Sequence, residues 1–351
     1  MRGERRPGAA TMRAIAADLP NALLSGFQRG REVELPNGRP PTTVYAIGMG
    51  GSAIAADLAR DLAESETRIP LSVVRGAELP RPLGENSRAI LVSYSGETWE
   101  TLRAYAAAER AGASRVVVTS GGPLAERAEE DDVPVVRLPP GLPARGAVGY
   151  LFGGLLGLLD PTFPESNEGR VAAIAERLRP EIGRYARADG PAARLAAGIG
   201  DRIPSIFAPR GFGALARRWK TQIEENAKRI AQFDEFPEAF HNAVVAWSAL
   251  SKANARRRAA VLFDRPGGEA SVHRLIGEFE RTLRGRGVAA VRVTLDSEDR
   301  LEAMLRGVAL GDQVSLRLAE RGKVDPLPVE AIARLREALG PAAFLPPRPS
   351  T

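Results

Sequence analysis

Short apolar, β-branched runs alternate with longer stretches of helical periodicity along most of the chain. Residues 43–47, 70–74, 89–93, 115–119 and 133–138 carry the strand pattern. Between them, residues 53–64, residues 99–110 and a stretch beginning near Pro123 carry the helical one. Ahead of the first strand, residues 11–27 read as one helix and residues 1–10 as disordered. Residues 31–41, polar and rich in Pro and Gly, read as a loop. Strands that alternate with helices imply a parallel sheet wrapped by helices.

The pattern then recurs more weakly. Residues 146–159 and 168–186 read as helices bridging to a second half. There, residues 205–208, 259–264 and 289–294 read as strands, and residues 214–229, 270–284, 300–321 and 329–339 as helices. Two α/β domains related by approximate internal repetition account for this better than one large sheet. A length of 351 residues is also that of two ordinary domains at ~100–200 residues each. We expect an N-terminal segment and helix at 1–30, a first domain at 31–190 and a second at 191–351.

Two strand-to-helix loops in the first half carry chemistry. IGMGGSA (47–53) places small residues where backbone N–H groups and a helix N-terminus can approach an anion. Gly48, Gly50 and Ala53 also satisfy the G-x-G-x-x-G/A dinucleotide pattern. That pattern expects an acid after the next strand, and Arg75 stands there instead, which would suit the 2′-phosphate of NADP. A tight turn with no ligand is the plainer alternative. SYSGET (93–98) sets the hydroxyls of Ser93, Ser95 and Thr98 around one glycine, which makes a phosphate cradle at a helix start. Thr98 alone would also serve as a helix cap. A dehydrogenase has no need of the second loop; a monophosphorylated sugar lying between two strand ends would use both.

Composition narrows the class. Apolar residues at 44% and charged residues at 26% suit a soluble globular protein. The formal net charge is +6, and the longest basic run, Arg256 to Arg258, reads as a solvated helix end, so nothing points to nucleic acid. A mild positive balance suits an anionic small substrate. With no cysteine, disulfides, zinc–thiolate sites and thiol nucleophiles are excluded. The first ten residues lack the apolar run of a secretory signal. Residues 150–159, the most apolar stretch, are broken by glycines and fall short of the ~20 residues a membrane span needs. A soluble, cytoplasmic protein is expected.

Three further places in the chain suggest acid–base work on an anion. Glu224 and Glu225 are adjacent on a helix and point about 100° apart, so one can face a cleft while the other is solvated. Of the two histidines, His241 lies between Pro237 and an apolar run, whereas His273 reads as a surface or packing residue. Arg145, at the threshold of an apolar helix, needs an anion, either an internal carboxylate or a bound ligand.

GMGGSA, SYSGET, RGAVGYLF around Arg145, WKTQIEENAK (219–228), FPEAFHN (236–242) and VDPLPVEAIARL (324–335) occur in order along residues 44–339. In this the chain resembles the bifunctional phosphoglucose/phosphomannose isomerases of the wider sugar-isomerase-domain (SIS) group. The resemblance implies two flavodoxin-like SIS domains, each a parallel sheet flanked by helices. It implies a homodimer acting on a sugar phosphate, with no metal and no cofactor; neither a nucleic-acid nor a membrane partner is expected from the charge and hydropathy pattern. It places phosphate binding on Gly51, Ser52, Ser93, Ser95 and Thr98, and sets Arg145 beside the developing enediolate. It makes Glu225 the base and His241 the ring-opening residue, delivered from the neighbouring subunit.

The sequence departs from the family's pattern at three positions. Glu224 stands where Asn is usual and puts a second negative charge beside the base. Arg336 stands where a substrate-contacting lysine is usual; it keeps the charge but does not give up a proton. Glu97, a lesser change, also replaces Asn. These departures keep alive a non-catalytic sugar-phosphate sensor as the alternative to an isomerase, with an NADP-linked oxidoreductase as a third reading.

Overall fold

The structure is a computed structural model that describes residues 7–35, 41–80 and 83–339. Two helices open the chain, α1 (Pro7–Ala17) and α2 (Leu19–Arg31), where the pattern predicts one over 11–27. Pro20 makes the difference: it sits in the first turn of α2, where its missing N–H has no intrahelical partner. Residues 7–10, expected to be disordered, are helical, and residues 1–6 lie outside the described residues.

The chain forms two compact units, one of residues 18–176 with 329–339, the other of residues 7–17 with 177–328. The expected boundaries at 30/31 and 190/191 differ from this division. The long break falls at 176/177, inside a helix, so no change of secondary structure marks it.

In the first unit, β1 (Thr43–Gly48) leads through α3 (Gly50–Glu66) to β2 (Leu71–Val74), and β3 (Ser87–Val92) leads through α4 (Trp99–Arg110) to β4 (Ser114–Thr119). Next come α5 (Gly122–Glu130), β5 (Val135–Arg137) and α6 (Val148–Leu159). The five strands are parallel in the order β2-β1-β3-β4-β5, with Tyr45 opposite both Ser72 and Ala89. Helices cover both faces, so the central strands read as unbroken apolar runs such as Ala89-Ile90-Leu91-Val92, each fully buried. On one face Tyr45, Ile47, Ala89, Leu91 and Val117 pack with Leu102, Tyr105, Ala108, Leu124 and Ala128 of α4 and α5. Beyond the sheet, α2 and α6 meet backbone to backbone. A Cβ on Gly26 or Gly30 would collide with the main chain of α6, and one on Gly153 or Gly157 with that of α2.

The division between the units lies in α7 (Glu168–Ala186), and α8 (Pro191–Ile199) follows it. The second unit then repeats the plan with β6 (Ile203–Pro209), α9 (Gly213–Ala227), β7 (Gln232–Phe236), α10 (Ala243–Ser248), α11 (Lys252–Arg256), β8 (Arg258–Asp264), α12 (Ala270–Arg286), β9 (Ala289–Thr294) and α13 (Arg300–Arg321). Its four parallel strands run β7-β6-β8-β9. Phe207, Phe236, Trp247, Leu262, Ile276, Phe279 and Leu283 form the core on one face. On the other face α9 lies against α13. Trp219 packs edge-on to Phe263 at 5.0 Å, and its Nε1 donates to the Gly307 carbonyl at 2.9 Å. Only glycine fits at Gly307 and Gly311, whose Cβ positions Leu215 and Trp219 occupy. A final helix, α14 (Glu330–Leu339), belongs to the first unit. Among the described residues no helix is long and apolar enough to cross a membrane.

Candidate active site

In the first sheet the strand order reverses between β1 and β3, and a doubly wound sheet binds ligands outside the carboxyl ends of its strands at such a point. Both chemistry-bearing loops lie there. The ends of β1 and β3 approach so closely that a Cβ on Gly48 would sit 2.5 Å from the Val92 carbonyl oxygen. Gly50 has φ +51°, and a Cβ there would meet no atom within 4 Å. Gly51, one residue on, faces the main chain of Ala144 and Arg145; its Cβ would lie 2.9 Å from the Ala144 oxygen.

Hydrogen bonds join the loops into one structure. Ser52 is buried, and its Oγ accepts from the Tyr94 N–H at 3.1 Å. Ser93 is buried, and its Oγ donates to Thr98 Oγ1 at 2.9 Å. Ser95 Oγ accepts from the Glu97 N–H at 3.3 Å. Thr98 occupies the N-cap position of α4 but makes no side-chain cap bond, so capping does not account for its hydroxyl. Gly96, at φ +71°, lets the turn seat against the Gly121 carbonyl.

Tyr94, which sequence reasoning passed over, holds this arrangement. Its hydroxyl donates to the Pro139 carbonyl at 2.6 Å and accepts from the Leu142 N–H at 3.2 Å. Its own carbonyl accepts from Ser120 N–H and Oγ at 2.9 and 2.6 Å. Burial pushes its phenol up from the ordinary tyrosine range, so the hydroxyl remains a donor at neutral pH. The segment it pins, residues 139–142, leads directly to Arg145, which is buried on a short 3-10 turn (Ala144–Gly146). The first unit therefore brings together Gly51, Ser52, Ser93, Ser95, Thr98 and Arg145. Arg336 lies elsewhere in that unit, exposed on α14.

Arg75 does not point toward a dinucleotide. Its guanidinium is engaged by the buried Asp57 of α3, with Nη1 3.2 Å from Oδ1 and Nη2 on Oδ2. The charge that would have met a 2′-phosphate is thus paired internally.

In the second unit, Glu225 is half-buried near the end of α9. A polar ladder along that helix faces α13 and fixes its rotation. Arg218 Nη2 donates to both oxygens of Asp312 at 2.8 and 2.9 Å, Gln222 to Asp312 at 2.7 Å, and Asn226 to Ser315 Oγ at 2.9 Å. All five of these side chains are buried, which makes the ladder specific to one helix orientation. Glu224 forms an ion pair with Lys220, Nζ to Oε2 at 2.7 Å, so its charge does not stand uncompensated beside Glu225. His241 is exposed just after a 3-10 turn (Glu238–Phe240) whose Phe240 stacks on Phe236 at 4.3 Å. His273 bonds the buried Asp264 through Nδ1 at 3.0 Å and is itself exposed, in keeping with a surface residue. Among the described residues no group of three or more His, Asp or Glu side chains is arranged to hold a metal ion.

The second sheet's corresponding crevice is filled by the protein itself. The Arg300 guanidinium lies over Gly211, and the Glu235 carboxylate lies over Gly213 at the start of α9. Arg300 and Arg265 both pack on the Phe212 ring, at 5.4 and 5.8 Å.

Comparison with known proteins identifies the family. The chain is 32% identical over 333 residues to a bifunctional phosphoglucose/phosphomannose isomerase of Caldicellulosiruptor bescii, covering 92% of this chain and 97% of that one. It belongs to the bifunctional phosphoglucose/phosphomannose isomerase family. An isomerase of the same name from Aquifex aeolicus is 30% identical, with 86% and 91% of the two chains covered. The family model for the bacterial phospho-glucose isomerase C-terminal SIS domain matches residues 188–339. The fold is shared with the crystal structure of glucosamine-6-phosphate deaminase from Thermotoga maritima, at TM-score 0.69 and 16% identity over 90% of this chain and 96% of that one. Both sheets are thus those of an SIS protein of this isomerase family, as the motifs implied.

Proposed function

We propose that this chain interconverts glucose 6-phosphate, mannose 6-phosphate or both with fructose 6-phosphate by single-base proton transfer through a cis-enediol. The observation that carries this reading is the hydroxyl-lined 93–98 loop, joined through Tyr94 N–H to Ser52 at the switch point of the first sheet. In this reading the substrate phosphate binds Ser93, Ser95 and Thr98, with Gly51 and Ser52 assisting. His241 opens the sugar ring. Glu225 removes the proton from carbon 2 of the open aldose and returns it to carbon 1. Arg145 stabilises the charge that develops on the enediolate oxygens. Arg336 contacts the substrate as a fixed cation. The transfer is a proton shuttle between adjacent carbons and needs neither metal nor redox cofactor.

By the family resemblance we extend the reading to a homodimer in which His241, exposed in this chain, serves the neighbouring subunit's site. We place the protein in the cytoplasm. Two departures bear on the sensor alternative in opposite senses. The Lys220–Glu224 pair removes the electrostatic objection raised by Glu224. Arg336, in place of a proton-yielding lysine, is the one feature that favours binding without turnover.

The test is to incubate the protein with fructose 6-phosphate and to quantify glucose 6-phosphate and mannose 6-phosphate separately. Both aldoses are expected. Calorimetric binding with neither product would establish the sensor instead. Glu225→Gln is expected to lower kcat about 100- to 10,000-fold while largely sparing binding, and retained turnover would remove Glu225 from the mechanism.

A further inference from the structure

The helix that carries Glu225 ends in an unusual way. After Ala227 the chain turns at Lys228, which adopts the left-handed conformation (φ +55°, ψ +39°). Glycine is the ordinary residue at that position, because a Cβ is disfavoured there. The lysine ammonium accounts for the exception. It donates to the carbonyl oxygen of Glu225, to that of Pro328 at 2.6 Å and to that of Pro326 at 3.4 Å. A lysine that merely complemented the helix dipole would bond only the last carbonyls of its own helix. Lys228 instead reaches across to a segment about a hundred residues further along the chain. Residues 326–328 run directly into α14, the helix of Arg336.

We propose that Lys228 is a positioning residue that locks the last turn of α9, and hence the Glu225 side chain, and ties that turn to the segment leading to Arg336. The inference rests on the reading of Glu225 as the base. The ammonium, with three donors, reaches three carbonyls. All three acceptors are main-chain atoms, so the bonds constrain backbone geometry rather than a mobile side chain. The polar ladder at Arg218, Gln222 and Asn226 fixes the rotation of α9 upstream. Lys228 fixes its end, where the base lies. A displacement of about 1 Å in a reacting group is enough to cost up to about 100-fold in rate.

Two substitutions in the full-length protein separate this role from a structural one. Lys228→Met removes the ammonium and keeps the backbone disfavoured. Lys228→Gly removes the ammonium and relieves the backbone. Both are expected to lower kcat about 10- to 100-fold, with KM for fructose 6-phosphate changed by less than about threefold. Thermal midpoints are expected to be higher for the Gly variant than for the Met variant. Hydrogen exchange at residues 326–330 is expected to accelerate in both. The inference is overturned if Lys228→Met keeps wild-type kcat. It is equally overturned if Lys228→Gly restores kcat, since backbone geometry alone would then be at issue. Glu225→Gln serves as the control. An inactive Glu225→Gln beside a fully active Lys228→Met sinks only the positioning role, whereas an active Glu225→Gln removes the base assignment itself and this inference with it.

Discussion

Tyr94 shows at the scale of one residue what a motif conceals. The hydroxyls of SYSGET suggest a cradle in the sequence because Ser and Thr beside a helix start suit an anion. Nothing in the sequence sets the tyrosine among them apart. Its main-chain N–H engages Ser52, its carbonyl engages Ser120, and its hydroxyl spans the Pro139 carbonyl and the Leu142 N–H, three residues before Arg145. Tyr94→Phe leaves that carbonyl and that N–H without their partner. A loss of about 1–2 kcal/mol in urea unfolding is expected, with KM for fructose 6-phosphate raised more than kcat is lowered in steady-state assays. Other pairings were illegible for a similar reason. Arg75 meets Asp57 only because the end of β2 lies beside α3, a tertiary fact. The Lys220–Glu224 pair, by contrast, was open to inspection as an i, i+4 spacing, and it answers the question that Glu224 raised.

Among the elements, legibility followed burial. The strands of the first sheet are apolar on both faces and stood out from their neighbours. β7 did not: its sequence Gln-Phe-Asp-Glu-Phe, at the sheet edge, is mostly polar with only Phe236 buried, and no apolar run announces it. The short helices α10 and α11, six and five residues long, have too few turns to show a period. The α2–α6 crossing was invisible for a different reason. Its signal is an absence of side chains at Gly26, Gly30, Gly153 and Gly157, which in a sequence looks like weak helix. In the structure it lets two backbones touch. Gly153→Ala would drive a methyl group into the Leu23 carbonyl. A cost of about 1–3 kcal/mol is expected from the urea midpoint, although alanine is the better helix former.

For the molecule as a whole, internal repetition was legible and its inequality was not. Both sheets place a glycine-bearing loop at the point where strand order reverses; alternation of strands and helices foretells the repeated parallel sheets but not the strand order. What distinguishes them is what stands over each loop. At Gly50 a side chain would find open space, whereas Arg300 and Glu235 lie directly on Gly211 and Gly213. Opposite charges already supplied by the protein leave the second crevice with no electrostatic reason to recruit an anion. The consequence is one of stoichiometry. If only the first crevice takes the sugar phosphate, as proposed, two copies of one fold plan have the valence of one, and a calorimetric titration with fructose 6-phosphate should saturate at a single equivalent per chain.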